Sequence, residues 1–268
     1  MKKTLVFFLF FLLIILTGFA FAANSLTTTV MVYLCGTDLQ ESACEDLFEM
    51  AEVQAGDEIN LLVLAGGAEA WDLEVFQGKS RTLAVIRDGY FEDLQDWGKG
   101  SMGDPDSLTE FLTYGFTEYP ADRNIVILWD HGAGSEGGIC FDKTTNDDSL
   151  TVAEIDKVLS QLESEVSGCR INLFGCDACM MATYEMAAML SHHSIDYYVA
   201  SEELEPSTGW YYTEWLEALR DNPSISDADL CGVIIDSFME ESLRNEPDDV
   251  LTLSAVNLSA VQRLENSM

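Results

Sequence analysis

Basic residues are scarce in this chain. Thirteen Lys and Arg stand against 47 Asp and Glu, for a formal charge of −34 over 268 residues. Such a surface repels phosphate backbones and anionic bilayers, which argues against a nucleic-acid or membrane-surface partner. It fits a cationic substrate, divalent cations or a salty exterior, and equally plain solubility. Proline is rare as well, with 5 residues, and no low-complexity tract occurs. The hydrophobic share of 48 % is too high for an acidic disordered chain, which lacks the apolar area to offset its ordering entropy. G-x-S-x-G, G-x-x-x-x-G-K and H-E-x-x-H are all absent. Cysteine is sparse and odd in number: the 7 residues make no disulfide-dense scaffold, and at least one thiol is left free or paired between chains.

Long apolar runs are missing too, with one exception at the start. Lys2 and Lys3 precede an apolar stretch from Leu5 to Leu16, and Ala20-Phe21-Ala22 offers a small-x-small cleavage site. The run is short for a membrane span and ends in small residues, so residues 1–22 read as a secretory signal peptide, with an uncleaved anchor as the alternative. No Cys follows the site, which argues against a lipid anchor. The exported part loses two lysines and no acid, and no later segment is apolar enough to span a bilayer.

From residue 23 onward, apolar β-rich runs alternate with helical patterns. Strands are expected at Thr28–Leu34, Ile59–Leu64, Asn124–Trp129, Arg170–Phe174, Asp196–Ala200 and Leu251–Val256, with a side hairpin from Trp71–Val75 and Thr82–Ile86. Helices are expected over about 38–54, 105–117, 151–164, 180–191, 211–220 and 226–243. Continuous rather than alternating hydrophobicity marks strands buried on both faces. The order predicts an α/β fold, a three-layer αβα sandwich around a mostly parallel sheet. A final helical pattern stops at the last residues; either the chain is a fragment or that helix is short.

Ligands gather at the carboxyl ends of strands in such sheets, and two expected strand ends carry reactive groups, His131 and Cys179. Cysteine attack needs a thiolate, and an imidazole can take the proton and later return it to a leaving amine. Gly132 and Gly134 allow a substrate backbone to approach and free an amide for an oxyanion. Singly, each residue reads better as a buried inert thiol or a loop histidine; jointly they favour a dyad. Rival motifs share these residues. Gly132–Gly137 matches G-x-G-x-x-G, but the chain after Gly138 has no helical pattern. Cys176-Asp177-Ala178-Cys179 matches the redox pattern C-x-x-C, leaving an exported thiol–disulfide oxidoreductase open. His192 and His193 are adjacent, against the spacing of a zinc finger.

Trp129-Asp130-His131-Gly132, Asp177-Ala178-Cys179-Met180-Met181 and Val199-Ala200-Ser201-Glu202-Glu203, in this order, resemble the clostripain family of caspase-like cysteine peptidases. The resemblance runs from about Thr29 to Asn257 and implies one caspase-like peptidase domain over 23–268, shorter at the C-terminus than is common in that family. It implies His131 as general base, Cys179 as nucleophile, and Gly132 with the Cys179 amide as oxyanion hole. Asp177 matches the acid expected in the pocket for the residue before the scissile bond, and a carboxylate there selects Arg or Lys. Asp177 also suits a helix start. Ser201–Trp210 would wall that pocket, with Glu203 and Trp210 facing substrate and Glu205 as a further acid. Glu205-Pro206-Ser207 departs from the family's Glu-Pro-Gly, which leaves the wall's shape open. No cofactor is required by the sequence. Some members need calcium, for which Asp147 and Asp148 are candidates by composition alone. The reading is a secreted endopeptidase acting on peptides or proteins with Arg or Lys, with a catalytically inactive binding domain as another alternative.

An enzyme with that preference meets three basic residues between His131 and Cys179. Lys157 lies in the amphipathic pattern Val152–Leu162, and Arg170 opens an apolar strand. Lys143 sits in a polar stretch without periodicity, where nicking concentrates. Self-cleavage is therefore expected after Lys143, the two pieces staying joined through the shared sheet.

Overall fold

The computed structural model describes residues 26–245 and 250–267; the expected signal peptide lies outside the described residues. In chain order the elements are β1 Thr28–Cys35, α1 Gln40–Glu52, β2 Ile59–Gly66, β3 Arg81–Arg87, β4 Tyr90–Gly98, α2 Pro105–Glu118, β5 Arg123–Trp129, the single turn α3 Gly134–Gly137 and β6 Ile139–Asp142. After a 3₁₀ turn at Lys143–Thr145 come β7 Asp148–Leu150, α4 Val152–Glu165, β8 Ile171–Asp177, α5 Tyr184–Leu190, β9 Ile195–Ala200, α6 Tyr212–Asp221, α7 Asp227–Asn245, β10 Ser254–Asn257 and α8 Leu258–Glu265.

Eight strands form one sheet in the order β10-β9-β8-β5-β1-β2-β3-β4. The five inner strands β9, β8, β5, β1 and β2 run parallel, and the outer strands are antiparallel. Side chains alternate along β1, so Met31, Tyr33 and Cys35 pack with α2, α4, α5 and α8 on one face. Val30, Val32 and Leu34 pack with α1, α6 and α7 on the other. Both faces are covered, which is why β1 and β5 read as unbroken apolar runs. The helices start where their caps dictate: Asp104 accepts from the Asp106 amide ahead of Pro105, and Thr151 forms a reciprocal capping box with Glu154. The three-layer α/β architecture is the one the sequence pattern calls for.

Three segments differ from expectation. The side hairpin is β3–β4, joined by Asp88-Gly89 with φ of 47° and 88°; Trp71–Val75 forms no strand. β4 is a largely exposed edge strand of mixed polar residues, so it lacks the apolar run used to find strands, although Asp-Gly is a strong hairpin turn signal. The stretch 139–150 is a second, two-stranded sheet, β6–β7, rather than an irregular loop. The last strand starts three residues later than expected, where it pairs with β9. Among the described residues no helix is long and apolar enough to cross a membrane.

Candidate active site

Strands β5 and β8 are hydrogen-bonded neighbours in parallel register, with Trp129 opposite Asp177. The residues just beyond their carboxyl ends therefore emerge side by side, His131 from one and Cys179 from the other. Both line a cavity of about 210 Å³, together with Trp129, Asp177, Glu205 and Gly209. A wider groove of about 570 Å³ between α2 and α4 is lined by Asp106, Glu110, Tyr114 and Glu165 and contains neither a thiol nor an imidazole.

The two loops touch through their backbones. A Cβ on Gly132 would collide with the Cys179 carbonyl oxygen and with Met181, so only glycine allows this approach. Gly132 bridges Ile139, and that bridge is made by flanking groups, the Ala133 amide donating to Gly138 O at 2.9 Å and the Cys140 amide to His131 O at 3.4 Å. The Gly132 amide is thus not used by this ladder. On the other side, Met180 takes a left-handed conformation (φ 59°), an uncommon one for a side chain of its size. It is held there by donation from its amide to Glu203 O at 2.9 Å. The Glu205 amide donates to Cys179 Sγ at 3.3 Å. His131 turns its ring outward: Nε2 lies 3.1 Å from Asp38 Oδ1. No hydrogen bond joins the ring to Sγ in this state, which is common where no substrate is bound.

Below the dyad the cavity is acidic. Asp177, 4 % exposed, accepts from the Tyr212 hydroxyl at 2.9 Å and the Trp210 amide at 3.3 Å. Burial pushes its carboxyl up to about 6. Burial, then the adjacent Asp177 charge, pushes Glu205 well above the ordinary carboxyl range. Asp46 of α1 lies behind them, accepting from Trp129 Nε1 at 2.6 Å. It is raised by burial, then by the charge of Asp177. A Cβ on Gly209 would stand 3.1 Å from Asp177 and 3.4 Å from Asp46, so the carboxyls converge on one spot. Glu49, also raised by burial, reaches about 7.

These groups hold protons in the folded chain that the unfolded chain releases. Their stabilisation is complete below the unfolded carboxyl range, about 4, and is lost as pH rises through the folded values. Asp177 alone, moved to about 6, accounts for about 3 kcal/mol of that loss. The melting temperature is therefore expected to fall from pH 5 to pH 8. Asp46→Asn, which keeps an acceptor for Trp129, should flatten the slope in a thermal-unfolding series.

Other expected residues stand elsewhere. Glu203 contributes its backbone, and its exposed side chain does not line the cavity. Trp210 is fully buried, packed over Gly175 with ring carbon Cη2 2.7 Å from where a Cβ would be. It forms core rather than a wall facing substrate. Lys143 lies on the 3₁₀ turn of the β6–β7 connection, its ammonium paired with Asp38. Asp147 lies on that same connection and Asp148 opens β7, and among the described residues no group of three or more acids, histidines and cysteines is arranged to hold a metal ion. All seven cysteines are free thiols. Cys176 is fully buried within β8, and burial pushes its thiol up to about 12, which removes the accessible pair that C-x-x-C redox chemistry needs. Asp46 and Asp38 escape sequence reasoning, since each reaches the site only through tertiary approach.

A thiol and an imidazole presented from adjacent strand ends of a parallel sheet, above a cavity floored by carboxyls, define the cysteine-peptidase class of α/β domain. The model of the clostripain family (Peptidase C11) matches residues 32–268, and the chain belongs to that family. Clostripain of Hathewaya histolytica is 28 % identical over 139 residues, 46 % of this chain and 25 % of that protein, so the match spans about a quarter of the relative's length. A secreted C11 cysteine protease from Bacteroides thetaiotaomicron, solved with an irreversible peptide inhibitor, superposes with a TM-score of 0.73 at 22 % identity, over 90 % of this chain and 69 % of that one. An inactive zymogen C11 protease from Parabacteroides distasonis gives 0.66 at 18 % identity, over 90 % and 65 %. At these identities the two structures establish a shared caspase-like fold.

Proposed function

We propose that this chain is a secreted cysteine endopeptidase that cleaves after Arg or Lys and processes itself after Lys143. One observation carries the reading: Cys179 and His131 share a cavity whose floor gathers Asp177 and Glu205. Cys179, giving its proton to His131, attacks the scissile carbonyl. The amides of Gly132 and Cys179 take up the oxyanion. His131 then protonates the leaving amine, and water, activated by the same imidazole, frees the acyl group. A basic side chain before the scissile bond neutralises the buried carboxyls, which suits a pocket with no cation of its own. The secreted relative and the apolar leader at residues 1–22 support export. The cut after Lys143 requires the β6–β7 hairpin to open first, so processing is slow beside peptide turnover.

Incubation with fluorogenic peptides ending in Arg, Lys, Asp or Asn tests the activity, with turnover expected for the two basic ones alone. Intact-mass measurement tests the processing: wild type should separate into two pieces at Lys143 while Cys179→Ala stays whole. Activity with a single uncut mass, or equal cutting of the pure Cys179→Ala variant, refutes self-processing.

A further inference from the structure

Asp38, in the turn between β1 and α1, holds an imidazole and an ammonium on one carboxylate. Oδ1 lies 3.1 Å from His131 Nε2 and accepts from the Thr37 hydroxyl at 3.2 Å. Oδ2 pairs with the Lys143 ammonium. Those contacts, Lys143 first and His131 next, hold the Asp38 carboxyl well below the ordinary range. The residues come from three separate places: Asp38 is 93 positions from His131, and Lys143 stands on the hairpin proposed for cutting.

We propose that Asp38 is the positioning residue of His131, and that Lys143 acts on the Cys179–His131 dyad through it. The inference rests on the reading of those two residues as nucleophile and base. An imidazole whose Nε2–H donates to a carboxylate keeps Nδ1 as its free acceptor, so the bond fixes both the tautomer and the plane of the ring. The same carboxylate stabilises the imidazolium that forms when Cys179 yields its proton, favouring the thiolate–imidazolium pair over the neutral one. Lys143, on the second oxygen, offsets part of that field while the hairpin is closed. Once Lys143 withdraws, Asp38 bears on His131 alone. Cutting after Lys143 would thus change the field that the dyad feels. The other titratable groups around the ring are Cys179, Asp177 and Glu205 across the cavity and the buried Asp130 on its own strand end. None of these is in a position to answer to Lys143 as Asp38 does.

As a surface ion pair the contact is worth little. Asp38 and His131 side chains are 54 % and 42 % exposed, and pairs so open to solvent add little to stability, so folding survives Asp38→Asn. The test reads the dyad without any peptide: the rate at which iodoacetamide alkylates Cys179 as a function of pH, followed by intact mass on the uncut chain and located by peptide mapping. Asp38→Asn should slow alkylation about three- to fivefold near pH ~6.5 and move the alkaline end of the profile down by about half a unit. Asp38→Glu should recover part of both. Lys143→Ala should speed alkylation about two- to fivefold in the wild-type background and leave Asp38→Asn unchanged, because its effect runs through that carboxylate. An Asp38→Asn profile that overlays wild type overturns the proposal, as does an equal Lys143→Ala effect in both backgrounds. A profile unaltered by His131→Ala removes the dyad and Asp38's role with it. Failure to cleave any basic peptide while these shifts are observed overturns the proposed peptidase activity and leaves the positioning role standing.

Discussion

Cys179→Ala abolishes cleavage of Arg- and Lys-ended peptides, and His131→Ala lowers kcat/KM by ~10⁴-fold or more, with the double variant no worse than either. That non-additivity is the signature of a single proton-transfer unit. It follows from the β5–β8 ladder, which sets Trp129 opposite Asp177 and delivers the imidazole and the thiol two residues further on. Cys176→Ser, in the same assays, retains activity close to wild type, since that thiol is sealed inside β8. Substantial turnover by Cys179→Ala, or loss of turnover in Cys176→Ser alone, contradicts the assignment.

Asp177→Asn lowers kcat/KM for Arg-ended peptides by ~10- to 150-fold, the equivalent of ~1.5–3 kcal/mol for one charge-assisted hydrogen bond. The loss is partial because Glu205, freed from the neighbouring charge that raises it, ionises more readily and takes up part of the role. Asp177→Asn with Glu205→Gln therefore removes the preference for basic residues, and the double variant loses more than the sum of the two single changes. The proton inventory gives an independent check. With Asp177 at about 6 and Glu205 and Asp46 raised further, the empty pocket carries protons that a guanidinium displaces. KM for an Arg peptide should fall as pH rises from 5 to 8, while KM for the citrulline analogue stays flat. A full basic preference in the double variant would place selection elsewhere.

Much of this site can be read from the chain itself, for a physical reason. Strands buried on both faces leave unbroken apolar runs, and the residues that follow each run mark the sheet's carboxyl edge; His131 and Cys179 are found that way, and Asp177 by resemblance. Asp38 and Asp46 are not, since their importance lies in which loops fold onto the edge, and nothing in their own neighbourhoods marks them; Glu205 is reached only through the resemblance. Trp210 shows the opposite error: an aromatic near the pocket in sequence that packs inward, over Gly175. Lys143 falls within Asp142–Ser149, which is polar and aperiodic and so reads as an irregular loop. It lies instead on a hairpin turn whose order comes from short-range bonds, such as the Asp142 carboxylate accepting from the Thr144 amide at 2.8 Å.

The order of strands across the sheet has a consequence for how the domain could be divided. β1 to β5 occupy one side and β8 to β10 the other, and no strand from either group is threaded between strands of the other. The whole central sheet therefore has one seam, the β5–β8 ladder, with α2 against α4 beside it. A chain opened anywhere from β6 to β7 becomes two contiguous bodies that meet along that ladder and where α1 packs on α6, one bringing the imidazole and the other the thiol. Neither half has a complete dyad, so catalysis in a split molecule is a property of the assembled pair and varies with their concentration, as for any heterodimer.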